Sequence, residues 1–200
     1  MTRVIAGIAR GRRLKVPGSG TRPTSDRIRE ALFASIDSRL LAEGRTWGDV
    51  AVCDLWAGSG AVGLEAWSRG AVRVLAVEKA KAAAAVIAGN VEELGASGVV
   101  DARRADVSSF VGSPPPGGPF DVVFADPPYD YDDESLAADL ATARRSGWFA
   151  PDALLVVERA SRRRTDGTGE GAGPLPTGID IIDCRAYGDS VLWYGRVSEE

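Results

Sequence analysis

From residue 50 onward, apolar runs of four to eight residues alternate with segments of helical period. Residues 50–55 form a short apolar run that ends at a Gly-rich turn, Ala57-Gly58-Ser59-Gly60, and residues 62–68 read as helix. A second buried strand, residues 72–77, ends at Glu78 and is followed by an Ala-rich helix over 79–94. Residues 99–105 give a weaker third strand ending at Asp106, and residues 120–125 a fourth ending at Asp126. A helix over 134–145 and a fifth strand over 153–157 follow. Continuous apolar strands separated by helices predict a parallel sheet covered on both faces. The last fifty residues break this rhythm. Residues 162–178 hold five Gly and two Pro with little apolar content and read as a mobile surface loop. Strands over 179–186 and 190–197, joined by Tyr187-Gly188-Asp189, then predict a terminal antiparallel hairpin.

The first fifty residues have a different character. Two β-like runs, residues 3–5 and 13–16, flank Gly7 and Gly11 and predict a small hairpin outside the main domain. A Gly/Pro/Ser-rich link over 17–23 leads to Thr24 or Ser25 as a helix N-cap, with Asp26 in the first turn. Ile28, Leu32, Ile36 and Leu40 recur every four residues, one buried stripe that leaves Arg27 and Arg29 on other faces. The expected division is a basic hairpin and linker over 1–23 and the main domain over 24–200.

Composition changes this picture chiefly by exclusion. The chain has 200 residues and no His, which removes Ser-His-Asp and Cys-His nucleophile systems, His-ligated zinc and imidazole bases. Cys53 and Cys184 stand 131 residues apart without a CxxC pair, so neither a metal site nor a disulfide framework is expected. No stretch reaches the ~18 uninterrupted apolar residues of a membrane span, and no secretory leader is evident. A cytoplasmic, non-membrane protein is the expectation. The net charge of −4 conceals two regions. Residues 1–30 hold eight basic side chains (Arg3, Arg10, Arg12, Arg13, Lys15, Arg22, Arg27, Arg29) against two acidic ones, a balance of +6, and the remainder carries −10. A cationic arm on an acidic body fits one face meeting a polyanion, because Lys and Arg displace counterions from phosphates; a merely solvated basic surface is the alternative.

Gly58-Ser59-Gly60-Ala61-Val62-Gly63 satisfies G-x-G-x-x-G after a strand and before a helix. Glycine lets the backbone turn tightly and approach a ligand. Glu78, at the next strand end, can accept from both hydroxyls of a ribose. The pattern alone does not choose the nucleotide. A pyrophosphate would sit at the helix N-terminus, but the strand-end carboxylates Asp54, Glu78, Asp106 and Asp126 would repel it and favour the cationic sulfonium of S-adenosyl-L-methionine. Ala57, Gly58, Ser59 and Gly60 complete the expected cofactor site.

Asp126-Pro127-Pro128-Tyr129 ends the fourth strand. Ligands of open α/β sheets bind beyond the carboxyl ends of the strands, so this tetrad and the Gly-rich turn are expected to face one crevice. An exocyclic base amine can donate one N–H to the Asp126 carboxylate and the other to the Pro127 carbonyl, and Pro128 stiffens the turn. That arrangement aims the nitrogen lone pair at a methyl group, catalysis by positioning. Tyr129 would stack on the flipped base. Guanine N2, adenine N6 and cytosine N4 all present such an amine. A nicotinamide-dependent oxidoreductase explains the glycines but neither the tetrad nor the arm. A cofactor-binding RNA-assembly factor without catalysis is the non-enzyme alternative.

Residues 52–66 (VCDLWAGSGAVGLEA), 124–129 (FADPPY) and 22–33 (RPTSDRIREALF) together resemble the RsmD family of bacterial small-subunit ribosomal RNA guanine-N2 methyltransferases. The likeness spans nearly the whole chain, and the N-terminal block separates this family from other enzymes bearing the tetrad. It implies a Rossmann-like class I S-adenosylmethionine-dependent methyltransferase fold: a mostly parallel seven-stranded sheet with a C-terminal antiparallel hairpin, plus an N-terminal hairpin and helix extension. It also implies methylation of the guanine at position 966 of 16S rRNA, within the small ribosomal subunit or its assembly intermediate, by an enzyme expected to be monomeric. Asp54, Gly58, Gly60, Glu78 and Asp106 match the family's cofactor motifs, and residues 126–129 its catalytic motif. Trp56 stands where a smaller aromatic is expected.

Overall fold

The computed structural model describes residues 2–18, 26–161 and 174–198. Arg22, the N-cap candidates Thr24 and Ser25, and residues 162–173 of the Gly-rich loop lie outside them. The chain divides into two compact units, Met1–Val107 and Ser108–Glu200.

The first unit opens with the hairpin, reduced to two-residue strands β1 (Thr2–Arg3) and β2 (Arg13–Leu14) in antiparallel register, Thr2 opposite Leu14. Helix α1 (Asp26–Ala42) buries Ile28, Leu32, Ile36 and Leu40, the stripe that its spacing predicts. Arg29 departs from the expectation. It is 0% exposed, with Nη2 donating to the Asp26 carboxylate at 2.7 Å and to the Arg3 carbonyl at 2.8 Å. Together with Phe33, one turn on, it forms a second buried stripe that the period-four pattern did not reveal. A short 3-10 turn (Trp47–Asp49) leads into β3 (Ala51–Leu55), followed by α2 (Ala61–Arg69), β4 (Arg73–Glu78), α3 (Lys81–Leu94) and β5 (Val100–Arg104). β4 pairs in parallel with both β3 and β5, so β4 is central among these three strands. All five residues of β3 are buried, which is why this strand reads as an apolar run interrupted only by Asp54. In β5 only Val100 is fully buried, matching its weaker signal.

Helix α2 is apolar on nearly every face except for Glu65 and Ser68, and both are buried. They hold the N-terminal arm. Glu65 accepts the Ile5 N–H at 2.6 Å and the Ala6 N–H at 2.9 Å, and its carboxylate also pairs with Arg69 at 2.9 Å. Ser68 accepts from the Ala9 N–H and donates to the Ala6 carbonyl. Gly7 lies so close to the Ser68 carbonyl that a Cβ there would sit 1.8 Å from it, so only glycine allows this approach. Arg69 extends the network to Asp37 on α1 at 2.7 Å and lies over the Phe33 ring at 4.8 Å.

The short α4 (Val107–Phe110) follows β5. The second unit contains β6 (Phe120–Ala125), α5 (Asp133–Arg145), β7 (Phe149–Ala160), β8 (Ile179–Tyr187) and β9 (Ser190–Val197). β7 runs parallel to β6 and antiparallel to β9, and β8 pairs with β9 as the terminal hairpin. β7 is 12 residues long, longer than its apolar stretch. Its polar end, Glu158 to Ala160, is kept in the ladder by pairing with Leu192, Val191 and Ser190 of β9, a constraint set by the partner strand rather than by hydrophobicity. The core of this unit gathers around Trp148, stacked on Phe120 and edge-on to Phe110, with its indole N–H donating to the Ser113 carbonyl. Among the described residues no helix is long and apolar enough to cross a membrane.

Candidate active site

The Gly-rich turn is built by hydrogen bonds from its own backbone to the ends of the flanking strands. The Ala57 N–H donates to the Val77 carbonyl at 2.9 Å and the Gly60 N–H to the Ala57 carbonyl at 2.7 Å. Gly58 and Gly60 have φ of 55° and 76°, the left-handed region in which glycine carries no Cβ penalty. Trp56 has φ 59° without that freedom, so this bulky residue holds an unfavourable backbone state at the mouth of the turn. Gly63 has ordinary φ but a Cβ would sit 3.0 Å from Val74, so the third glycine of the motif brings α2 close to β4.

Two predicted carboxylates converge on this turn. Glu78 accepts the Gly58 N–H at 2.9 Å with one oxygen and the Ala80 N–H at 2.7 Å with the other. Each oxygen keeps further acceptor capacity, so the group is both fixed in place and able to take a ribose diol. Asp54 is 1% exposed and accepts the Gly63 N–H at 3.0 Å. Burial is the main cause that raises its carboxyl to about 7, opposed by the Gly63 hydrogen bond and reinforced by the negative Glu78. Asp54 thus shapes the turn from below and is only partly ionised at neutral pH. Asp106, two residues past the end of β5, lies beside this cluster, ion-paired with Lys79, while the Ala105 N–H reaches the Glu78 carbonyl. A carboxylate-rich rim around a glycine turn suits a cationic ligand with a ribose and not a pyrophosphate, so the residues present fit S-adenosylmethionine.

Asp54 also fixes a pH dependence. Its folded pKa is raised, so it costs the fold nothing below pH 3.8, where both states are protonated; as pH rises toward about 7 the folded state is increasingly disfavoured by keeping this buried acid protonated or by ionising it. The loss is up to about 4 kcal/mol across that window. Asp54→Asn, which can still accept from Gly63, is expected to unfold at a temperature that rises relative to the wild type between pH 4 and 8. A constant difference between the two melting temperatures across that range would contradict it.

In the second unit the tetrad follows β6 directly. Asp126 is half-buried, Pro127 is buried, and Pro128 and Tyr129 are exposed, Tyr129 at 59%. A large aromatic left this open to solvent is available for stacking. The Tyr131 N–H closes a turn on the Pro128 carbonyl at 2.9 Å. Downstream the loop is pinned by residues the sequence did not single out. Arg159 of β7 donates to the Tyr131 carbonyl at 2.6 Å and pairs with Asp133 at 2.8 Å, and the Tyr131 hydroxyl joins Ser108 and Asp139 of α5. Asp132 caps α5 by accepting the Ser135 N–H.

Of the basic residues expected to meet RNA, Arg3, Arg10, Arg12, Arg13, Lys15 and Arg27 are exposed. Arg29 does not belong with them: buried and paired with Asp26, it attaches the arm to α1 and has no surface to offer RNA. Lys15 pairs loosely with Glu93 at 3.0 Å on the surface, a contact of little energetic weight. Among the described residues no group of three or more His, Cys, Asp or Glu could hold a metal ion.

A glycine turn backed by two strand-end carboxylates, on a parallel α/β scaffold closed by an antiparallel hairpin, defines the class I methyltransferase architecture. The solved structure of yhhF from Escherichia coli matches it with a TM-score of 0.79 at 29% identity, over 99% of this chain and 98% of that one. The fold is therefore Rossmann-like, with a mostly parallel seven-stranded sheet, a C-terminal hairpin and an N-terminal extension. Residues 2–195 match the family described as Conserved hypothetical protein 95, and the chain belongs to that family. It is 36% identical over 157 residues to Ribosomal RNA small subunit methyltransferase D of Escherichia coli (strain K12), covering 78% of this chain and 73% of the relative. The protein of the same name from Haemophilus influenzae is 35% identical over 161 residues, 78% of this chain and 77% of that one. By family and fold the chain is an S-adenosylmethionine-dependent methyltransferase.

Proposed function

We propose that this protein methylates the exocyclic N2 amine of a guanine in 16S rRNA, the guanine at position 966, within the small ribosomal subunit or its assembly intermediate. The observation that carries the reading is the pairing, in one chain, of an Asp-Pro-Pro-Tyr tetrad at a strand end with a basic hairpin fixed to the helix that follows the cofactor turn. Relatives named as small-subunit rRNA methyltransferases support the choice of RNA. The protein acts as a cytoplasmic monomer in this reading, with residues 1–23 as its RNA-binding extension to a catalytic domain over 24–200.

In this mechanism Ala57, Gly58, Ser59, Gly60, Glu78 and Asp106 would hold the cofactor, with the buried Asp54 bracing the turn beneath it; when bound, the cofactor supplies a methyl group made electrophilic by its sulfonium. Asp126 accepts one N–H of the guanine amine and the Pro127 carbonyl accepts the other. With both hydrogens held, the nitrogen lone pair would be left free for a methyl donor, and the gain would be one of orientation rather than of base strength. Tyr129 stacks on the base and keeps its plane. The proton left on the alkylated nitrogen passes to Asp126 or to water. No imidazole is needed, consistent with a chain that contains none.

Isolated small subunits lacking the mark, incubated with the protein and methyl-labelled cofactor, are expected to yield labelled N2-methylguanosine. Label in N6-methyladenosine or N4-methylcytidine would move the assignment to another base. The arm gives a separate test. Arg10→Ala and Arg12→Ala are each expected to weaken RNA association and to lower the slope of log affinity against log salt by up to about one unit. An unchanged slope for both would remove the arm from the interface.

A further inference from the structure

The basic arm and the cofactor turn share one side chain. Asn90 lies on α3, is 2% exposed, and has no surface of its own to offer a ligand. Its Nδ2 donates to the Ser59 carbonyl in the turn at 3.2 Å and to the Lys15 carbonyl in the arm at 2.9 Å, while its Oδ1 accepts the Lys15 N–H at 2.9 Å. Toward Lys15 the amide therefore behaves as a neighbouring strand would, pairing both backbone groups. Toward the turn it fixes the carbonyl immediately before the left-handed Gly60. Moving the arm at Lys15 either drags Asn90 or leaves buried donors and acceptors unpaired, which is costly in a dry site. A second tie runs parallel to the first: α2 begins at Ala61, directly after the turn, and its Glu65 and Ser68 hold residues 5, 6 and 9 of the arm.

We infer that Asn90 is a positioning residue that couples cofactor binding in the Gly-rich turn to the order of the RNA-binding arm. The inference rests on the functional reading above and deepens it. Ligand that orders the turn also orders the arm through Asn90, and by reciprocity a polyanion on the arm favours the cofactor-ready turn. The enzyme is thereby biased to engage RNA with its methyl donor already in place.

Amide hydrogen exchange on the full-length protein, with and without S-adenosylhomocysteine, tests this, with calorimetry to confirm that the compound binds. In the wild type the compound is expected to slow exchange at the turn amides and, by about tenfold, at Lys15 and its neighbours. Asn90→Asp keeps an acceptor for the Lys15 N–H and loses both donated bonds. In that variant binding is expected to protect the turn while the effect on the arm falls below about twofold. Equal arm protection in both proteins would reduce Asn90 to a structural role and overturn the coupling. If that variant does not fold, Asn90→Ser replaces it, smaller but still polar, with the same loss of arm protection expected, and in the wild type protection confined to the turn overturns the inference equally. Absence of binding to the wild type would overturn the functional reading and the coupling with it, an outcome the calorimetry separates from the others.

Discussion

Asp126→Ala is expected to lower methyl transfer by at least about 10³-fold, the scale on which removal of one preorganised hydrogen-bonding partner acts on a reacting centre. RNA affinity is expected to stay within about threefold of wild type, because the cationic groups lie in the arm and not in the tetrad. Asp126→Asn keeps one acceptor oxygen without the charge and is expected to fall between the two. Single-turnover rates with saturating RNA and cofactor check this directly. The same variant separates catalysis from a purely RNA-binding role: an assembly factor with an idle cofactor site would show no difference between the wild type and Asp126→Ala in any turnover measurement. Full methylation by Asp126→Ala would place the chemistry elsewhere.

The second large effect concerns the arm. Glu65 is fully buried, and its carboxylate receives the Ile5 and Ala6 N–H groups and the Arg69 guanidinium. Glu65→Ala leaves two backbone donors without their acceptor and removes one of the two carboxylates that hold Arg69, which keeps Asp37. A loss of about 3–5 kcal/mol is expected, since each of the two stranded N–H groups costs about 1–3 kcal/mol and part of the Arg69 pairing goes with them. For a chain of this size that corresponds to a melting point lower by roughly 6–20 °C, and calorimetry in the absence of ligand measures it. RNA affinity is expected to fall as well, because the arm loses its main attachment to α2. A destabilisation below about 1 kcal/mol would show that the arm is held by its other contacts.

These two residues also mark the boundary of what the sequence discloses. Asp126 is legible because its signal is local: an apolar run, a strand end and two prolines stand within ten residues. The same holds for β3, β4 and β6, whose burial on both faces writes itself as mostly apolar strings with at most two charged residues each. Glu65 and Asn90 are not legible in this way. Their partners in the arm lie 59–60 and 75 residues away along the chain and are backbone atoms, which carry no residue identity to pattern against. The one hint for Glu65 is a lone carboxylate in an otherwise apolar helix, since burying such a charge demands partners. Arg29 misleads for the opposite reason. An arginine off the main apolar stripe is normally solvated, and only the Arg3 carbonyl, brought near by the hairpin, completes the pairing begun by Asp26. The polar end of β7 and the loop clamp of Arg159 follow the same rule, as both are set by a neighbouring strand or loop rather than by local preference.

The proposed reaction, N2 methylation of one guanine of small-subunit rRNA, is tested most directly in cells. Nucleoside mass spectrometry and primer extension on ribosomes from a strain lacking the protein, and from the same strain carrying either the wild type or Asp126→Ala, measure it. N2-methylguanosine at position 966 is expected to be absent without the protein, restored by the wild type and not by the variant. Persistence of the mark in the deletion strain, or its restoration by Asp126→Ala, would contradict it.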